Sequence, residues 1–407
     1  MYDMYSVRNE SSVIRRTAYK KTGVNGEMAK KILTVDDSAL MRRVLSDIIY
    51  KDPRFELEAS AANGLEAYDM IVTERDRFDL IILDINMPKM NGITLMEKLK
   101  DKGIAIPVLI VSSLAKEGAA ETIRCLELGA FDFITKPDSF METKGDAFAN
   151  KVLGLICAAL KLEMLDTAPR ESLNRLVKQN GPANEGTYGV AGAMSALAMT
   201  HYNKKPHQPV EMRKRKLVVI CASTGGPKAL SQVITGLPEK LAAPVIIIQH
   251  MPEYFTGTLA ERLNAVSKLP VKEAETDDLL KPGRVYLAKG GRHLRVVHKM
   301  NDYYLELNDD PARSGLRPCA DVTFESLQNL LYDDITCVVL TGMGSDGTRG
   351  IGALCETKNL YVIAQNEESC TVYGMPRVVH ESGLTDKVLP IDRIADAIID
   401  NVGVTAY

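Results

Sequence analysis

No uninterrupted apolar run in the 407-residue chain approaches the roughly 20 residues needed to cross a bilayer, so a membrane-spanning helix is excluded. The N-terminus also lacks the apolar core of a secretory signal, and the chain is expected to remain soluble in the cytoplasm without inserting into a membrane. Charge of one sign is scarce: the net value is −3, too little for a whole-molecule field that gathers nucleic acid or anionic lipid, so partners must be recognised locally. The seven cysteines form no CxxC pair and mostly sit in apolar runs, as buried thiols of a reducing cytoplasm do. The small-residue turn STGG at 223–226 matches neither GxGxxG nor GxxxxGK[ST].

What is present is the balance of a soluble globular protein, 45% apolar and 25% charged, on a chain long enough for two domains. Residues 1–29 are polar, show no period and are expected to be a disordered extension; Met28, just ahead of the first apolar strand, is an alternative start. From residue 30 to 163 the short apolar runs KILTV, ELEAS, DLIIL, PVLIV and FDFI alternate with amphipathic stretches at 38–51, 64–75, 93–101, 117–128 and 145–163. Five such repeats predict a five-stranded parallel, doubly wound α/β sheet whose site lies at the carboxyl ends of its strands. Residues 164–213 lose the period and end in the basic run Arg213-Lys214-Arg215-Lys216, which reads as a linker with a solvated domain edge. A second α/β alternation over 214–403 starts at LVVICAS and continues through VIIIQH, ITCVVLTG and LYVIAQ, with an antiparallel excursion at GRVYLA, HLRVV and YYLEL.

In the first domain Asp36 and Asp37 follow strand one, Asp84 ends strand three and Lys136 follows strand five. Three carboxylates at one sheet edge repel one another unless a hard divalent cation joins them, and an all-oxygen set suits Mg²⁺. Asp84 is then placed to attack a phosphoryl donor, with Lys136 neutralising charge on the phosphoryl oxygens. Ser112, ending strand four, is placed to bond a phosphoryl oxygen, and Phe133 to rotate inward as the loop responds. Taken singly, each has a plainer reading, such as a helix cap at Asp37 or a surface charge at Lys136.

Together LTVDD, LDINMPKMNG, VSS and ITKP, in this order, resemble the response-regulator receiver family across residues 30–163. The resemblance implies that Asp84 is phosphorylated by a partner histidine kinase, and that Asp36, Asp37, Asp84 and the backbone carbonyl of Asn86 hold the Mg²⁺.

In the second domain Ser223 lies where the apolar run VVICA gives way to STGG and a helix opens near Pro227, which exposes a hydroxyl close to helix N–H groups. Thr224 is placed to supply one oxyanion donor. The STGG turn alone is weak evidence and does not match the GxSxG elbow. His250 ends the next strand in VIIIQHMP, one of only six histidines, and is placed as general base. Asp346, in VVLTGMGSDGTRG, reaches the same edge either as an N-cap or as the carboxylate that orients an imidazole.

CASTGG, QHMP, LTGMGSDG and AQNEESCTVYGMP resemble the catalytic domain of chemotaxis protein-glutamate methylesterases over about 215–403. The resemblance implies a serine hydrolase without cofactor in which Ser223 is the nucleophile, His250 the base and Asp346 the orienter. It adds the backbone N–H of Met343 as a second oxyanion donor. It also implies methyl-accepting chemoreceptors as substrates, methanol as a product and slower deamidation of receptor glutamines. Cys221 departs from the family pattern, where glycine is usual; two residues back inside the strand, it is expected to be structural. An unphosphorylated receiver is expected to cover the strand ends of the second domain, with charge at Asp84 loosening that contact. A receiver-driven DNA-binding regulator would need a basic helix-turn-helix, and none is visible after residue 217. A non-enzymatic adaptor, in which these positions are only turns and caps, is separated from a hydrolase by Ser223→Ala.

Overall fold

The protein is described here from a computed structural model covering residues 28–137, 145–163, 200–211 and 214–405. The extension expected at 1–29 therefore lies outside the described residues except for its last two, as does the expected linker over 164–199 and 212–213.

The N-terminal unit runs β1 (Lys30–Val35), α1 (Ala39–Ile49), β2 (Phe55–Ala61), α2 (Gly64–Thr73), β3 (Leu80–Asp84), α3 (Gly92–Asp101), β4 (Val108–Ser112), α4 (Lys116–Leu128), β5 (Asp132–Thr135) and α5 (Asp146–Ala159). All strand pairs are parallel, in the order β2-β1-β3-β4-β5. Every residue of β3 and β4 is buried, because helices cover both faces; this is why these strands read as unbroken apolar runs. Helix starts follow local chemistry. Ser38, Asn63 and Asn91 each accept from the amide three residues on, and the Glu66 carboxylate accepts in turn from the Ala62 amide and the Asn63 side-chain amide.

The C-terminal unit runs β6 (Lys216–Ala222), α6 (Gly226–Gly236), β7 (Val245–Gln249), α7 (Phe255–Val266), β8 (Val271–Glu273), β9 (Val285–Leu287), β10 (His293–Lys299), β11 (Asp302–Asn308), α8 (Ala320–Ser326), β12 (Asp334–Val339), α9 (Thr348–Leu354), β13 (Leu360–Gln365), α10 (Met375–Glu381), β14 (Lys387–Leu389) and α11 (Ile391–Val402). Its seven-stranded sheet has the order β14-β13-β12-β6-β7-β9-β8, and every pairing in it is parallel. The antiparallel excursion is the β10–β11 hairpin. The VYL run read together with it is β9, which instead joins the main sheet in parallel beside β7. β6 lies between β7 and β12, so the chain leaves it in one direction and returns on the other side. That switch of direction opens a crevice at the strand ends where β6, β7 and β12 finish.

Two local readings change. Lys216, read as part of a solvated basic edge, is buried: its ammonium donates to Asn401 O at 2.9 Å and Val402 O at 3.2 Å, capping the last carbonyls of α11. Residues 200–211 have no regular secondary structure but are fastened to the C-terminal unit by buried polar pairs. Lys204 Nζ meets Asp386 Oδ2 at 2.7 Å, and His207 Nε2 meets Asp334 Oδ1 at 3.1 Å. No helix among the described residues is long and apolar enough to cross a membrane.

Candidate active site and phosphoacceptor site

At the carboxyl edge of the N-terminal sheet, Asp36 and Asp84 are almost fully buried and Asp37 is exposed; an oxygen from each lies within 4.8 Å of the others. Lys136 Nζ approaches Asp84 Oδ2 at 2.8 Å and Asp36 Oδ2 at 3.0 Å. Apart from the Lys136 ammonium Asp36 Oδ2 has no partner, and the Asn86 carbonyl accepts no hydrogen bond among the described residues. Three clustered carboxylates balanced by a single ammonium, beside an unbonded carbonyl, fit a hard cation held by Asp36, Asp84, Asp37 and the Asn86 carbonyl.

Burial, reinforced by the charge of Asp36, raises the Asp84 pKa despite the bond from Lys136. Burial would lower the Lys136 pKa, but its bonds to Asp84 and Asp36 prevail and hold it up. Ser112 accepts a bond from Thr122 Oγ1 at 2.8 Å and stands at the end of the next strand. Phe133 does not point into its own unit alone. Its ring stacks on Phe255 of α7, with centroids 4.6 Å apart.

The second edge is assembled around Ser223. Its amide donates to Thr341 O at 3.0 Å, joining the β6 end to the β12 end, and its carbonyl accepts from Gly226 N and from Gln249 Nε2. The hydroxyl makes no hydrogen bond among the described residues. A side chain on Gly342 would lie 2.7 Å from Ser223 Cβ, so only glycine lets the 342–344 loop come this close to the serine. The backbone N–H groups of Thr224 and Met343 donate to no protein acceptor among the described residues, as donors awaiting a ligand oxygen would.

His250 Nε2 donates to Asp346 Oδ2 at 2.7 Å, both side chains being nearly buried. Because the ionised carboxylate accepts the hydrogen bond of Nε2–H, the neutral ring leaves Nδ1 as the free lone pair, and Nδ1 bonds nothing among the described residues. Burial opposes ionisation of Asp346, but hydrogen bonds from His250, Cys319 and the Asp321 amide hold it well below the usual carboxylate range. It therefore stays an acceptor and does not compete for the proton. Cys221 lies fully buried beneath this turn with its thiol pushed up by burial, a packing group and not a nucleophile.

Cys319 and Asp321, which sequence reasoning passed over, complete the surroundings of Asp346. Ligand-type atoms of Cys319, Asp321 and Asp346 lie as close together as those of the phosphoacceptor edge. Here, however, both oxygens of Asp346 and one of Asp321 are taken by N–H or S–H donors, so this is a hydrogen-bonded cluster and not a cation site. The only local signal was the acid two residues beyond a proline-cysteine pair at a helix start, and its partner is 25 residues away.

The N-terminal unit sits on this edge. Glu127 of α4 pairs with Arg262 of α7, and Met343 packs on the N-terminal apolar cluster. The Asp132 carboxyl at the start of β5 meets the Thr224 hydroxyl, and burial raises its pKa. Between the units, beside the serine turn, Ile106, Leu126, Phe131, Gly225, Pro227 and Thr371 line a cavity of about 340 Å³.

Comparison with known proteins places both units. The family described as CheB methylesterase matches residues 218–398, and the response regulator receiver domain matches residues 32–143. A relative from Syntrophomonas wolfei, named protein-glutamate methylesterase/protein-glutamine glutaminase 1, is 36% identical over 91% of this chain and 98% of its own. One from Halalkalibacterium halodurans, named protein-glutamate methylesterase/protein-glutamine glutaminase, is 39% identical over 91% of this chain and 97% of its own. The crystal structure of the Thermotoga maritima CheB methylesterase catalytic domain is 40% identical, covering 46% of this chain and 98% of that one, with a TM-score of 0.44.

Proposed function

The chain belongs to the CheB methylesterase family, and on that premise we propose that it hydrolyses glutamate γ-methyl esters on chemoreceptors under the control of its receiver. The observation that carries the chemistry is the 2.7 Å bond from His250 Nε2 to Asp346, which leaves Nδ1 as the base for the unbonded Ser223 hydroxyl. Ser223 Oγ attacks the ester carbonyl as its proton passes to Nδ1, and the imidazolium is stabilised by Asp346. The tetrahedral oxyanion is received by the N–H groups of Thr224 and Met343. His250 then protonates the departing methoxide, methanol leaves, and water, deprotonated by the same nitrogen, releases the glutamate. A glutamine side chain runs through the same sequence with ammonia leaving, which makes the protein a glutaminase as well.

In the receiver, Asp84 is the phosphoacceptor and a chemotaxis histidine kinase the donor, with Lys136 pairing the phosphoryl charge and Ser112 bonding one of its oxygens. Mg²⁺ held by Asp36, Asp37, Asp84 and the Asn86 carbonyl would offset the negative charge that gathers there. Phe133 and Asp132 carry the change to the α7 and Thr224 contacts. The reading places the enzyme in the cytoplasm, facing receptor tails.

The test is methanol release from methylated receptors by the full chain, with and without a small phosphodonor. Wild type should release methanol faster with the donor, and Ser223→Ala should lose several orders of magnitude of rate. Undiminished release by Ser223→Ala would refute the serine mechanism, and equal rates with and without donor would refute receiver control.

A further inference from the structure

Two short helices next to the catalytic carboxylate hold each other by exchanged caps. Asp346, which precedes α9, accepts from the first amides of α8: Ala320 N at 2.6 Å and Asp321 N at 3.0 Å. Asp321, in the first turn of α8, accepts at Oδ1 from Gly347 N at 3.0 Å and from Gly350 N at 2.7 Å, the first amides of α9. Neither Cys319 nor Gly347, the residues standing at the two N-cap positions, supplies a side-chain cap, so the exchanged carboxylates do that work.

The exchange bears on the reaction because Gly347 adjoins the catalytic acid and has a φ of 93°, a left-handed turn whose amide direction decides where Asp346 points. Asp346 Oδ2 must stay on His250 Nε2, while its Oδ1 is shared among Cys319 Sγ, the Asp321 amide and the Gly347 amide. The Asp321 carboxylate shares the Gly347 N–H with Asp346 Oδ1 and takes the Gly350 N–H as well, which ties that turn to α8. It does so although burial and the charge of Asp346 both oppose its ionisation, raising its pKa to about 6. Arg349, 3.6 Å away and largely exposed, compensates only in part.

We propose that Asp321 is a positioning residue for the hydrolytic step: by accepting from Gly347 and Gly350 it holds the Asp346 turn in the orientation that fixes the His250 tautomer. The inference rests on the esterase reading above. It assigns to Asp321 the acceptor geometry of one oxygen, not its charge. An asparagine can reproduce that geometry, with its amide nitrogen turned toward the exposed Arg349.

The test uses the full chain with a phosphodonor and methylated receptor, comparing Asp321→Ala and Asp321→Asn. Asp321→Ala should lower kcat about 10–100-fold with KM within twofold, since the substrate contacts are untouched and only alignment is lost. Asp321→Asn should restore kcat to within about threefold of wild type on the same ground. A kcat for Asp321→Ala within twofold of wild type, or an asparagine variant as slow as the alanine one, overturns the assignment. Should the alanine variant not fold, Asp321→Glu serves in its place. It keeps the charge but displaces the oxygen by one methylene, so it should be slow where asparagine is fast, and equal rates for the two overturn the proposal. Absence of methanol release by wild type itself sinks the esterase reading instead, so the two failures are distinguishable.

Discussion

Phe133 and Phe255 lie stacked across the two units, ring centroids 4.6 Å apart and planes 16° from parallel, one at the end of the receiver sheet and the other opening the helix that follows His250. The pair joins Phe133, the residue proposed to respond to Asp84 phosphorylation, to Phe255, which lies five positions beyond the proposed general base His250 in sequence. A stacked aromatic pair contributes about 0.5–1.5 kcal/mol beyond its buried area. Phe133→Ala should therefore raise the rate without phosphodonor by about 2–10-fold and shrink the stimulation by the donor correspondingly. Methanol release at zero and saturating phosphodonor checks this; an unchanged basal rate would mean that the stack does not hold the closed arrangement.

Asp346→Asn keeps the size of the orienting side chain but removes its charge and presents an amide where the His250 Nε2 proton now lies. The tautomer that leaves Nδ1 free is no longer favoured, and kcat is expected to fall by about 10³–10⁴-fold with little change in KM. Steady-state kinetics decide it, and a loss below tenfold would remove Asp346 from the mechanism.

Gly342→Ala is a smaller change with a comparable target. The added methyl would meet Ser223 Cβ at 2.7 Å and Met375 Sδ at 2.5 Å, so the serine turn or the Met343 loop must shift. Loss of about 10²-fold in kcat is expected, with thermal unfolding moving by only a few degrees. Labelling of Ser223 by a serine-reactive phosphonate should slow in step with kcat, and undiminished labelling would count against the close approach.

Asp321 also makes a prediction about stability. Its folded pKa of about 6 lies above the ordinary value of 3.8, because burial and then Asp346 disfavour its charge. Proton binding therefore favours the fold in full below about 3.8, and this contribution is lost as pH rises through about 6. The other groups around it are Arg349, Glu325, Cys319, Tyr202 and Cys221. Asp321→Asn, neutral throughout, should unfold at a higher temperature than wild type at pH 8 and gain less, or nothing, at pH 4. A lower melting temperature for Asp321→Asn at pH 8 would show that the ionised carboxylate stabilises the fold.

Much of the architecture was legible because it depends on local chemistry. Runs buried on both faces, such as LIIL and VLIV, must be central strands of a parallel sheet, and Ser38, Asn63 and Asn91 announce helix starts with side chains that accept from the amide three residues on. Strand ends then place Asp36, Asp84, Lys136, Ser223 and His250 without further information, since a parallel sheet gathers the carboxyl ends of its strands at one edge. Read alone, VYL gave no sign that it joins the main sheet, because three apolar residues carry no direction. Lys216 looked solvated because the carbonyls it caps belong to α11, 185 residues later.

The amino-acid sequence by itself therefore determined the two alternating units and the order of chemistry-bearing residues along their edges, since periodicity and capping act within a few residues. Tertiary structure alone decided which partner each of those groups meets. The bond of His250 to Asp346 spans 96 residues, the caps exchanged between Asp321 and Asp346 join two helices, and the stack of Phe133 on Phe255 crosses two units. Such contacts depend on how whole elements pack, and the residues between them carry no local trace of it.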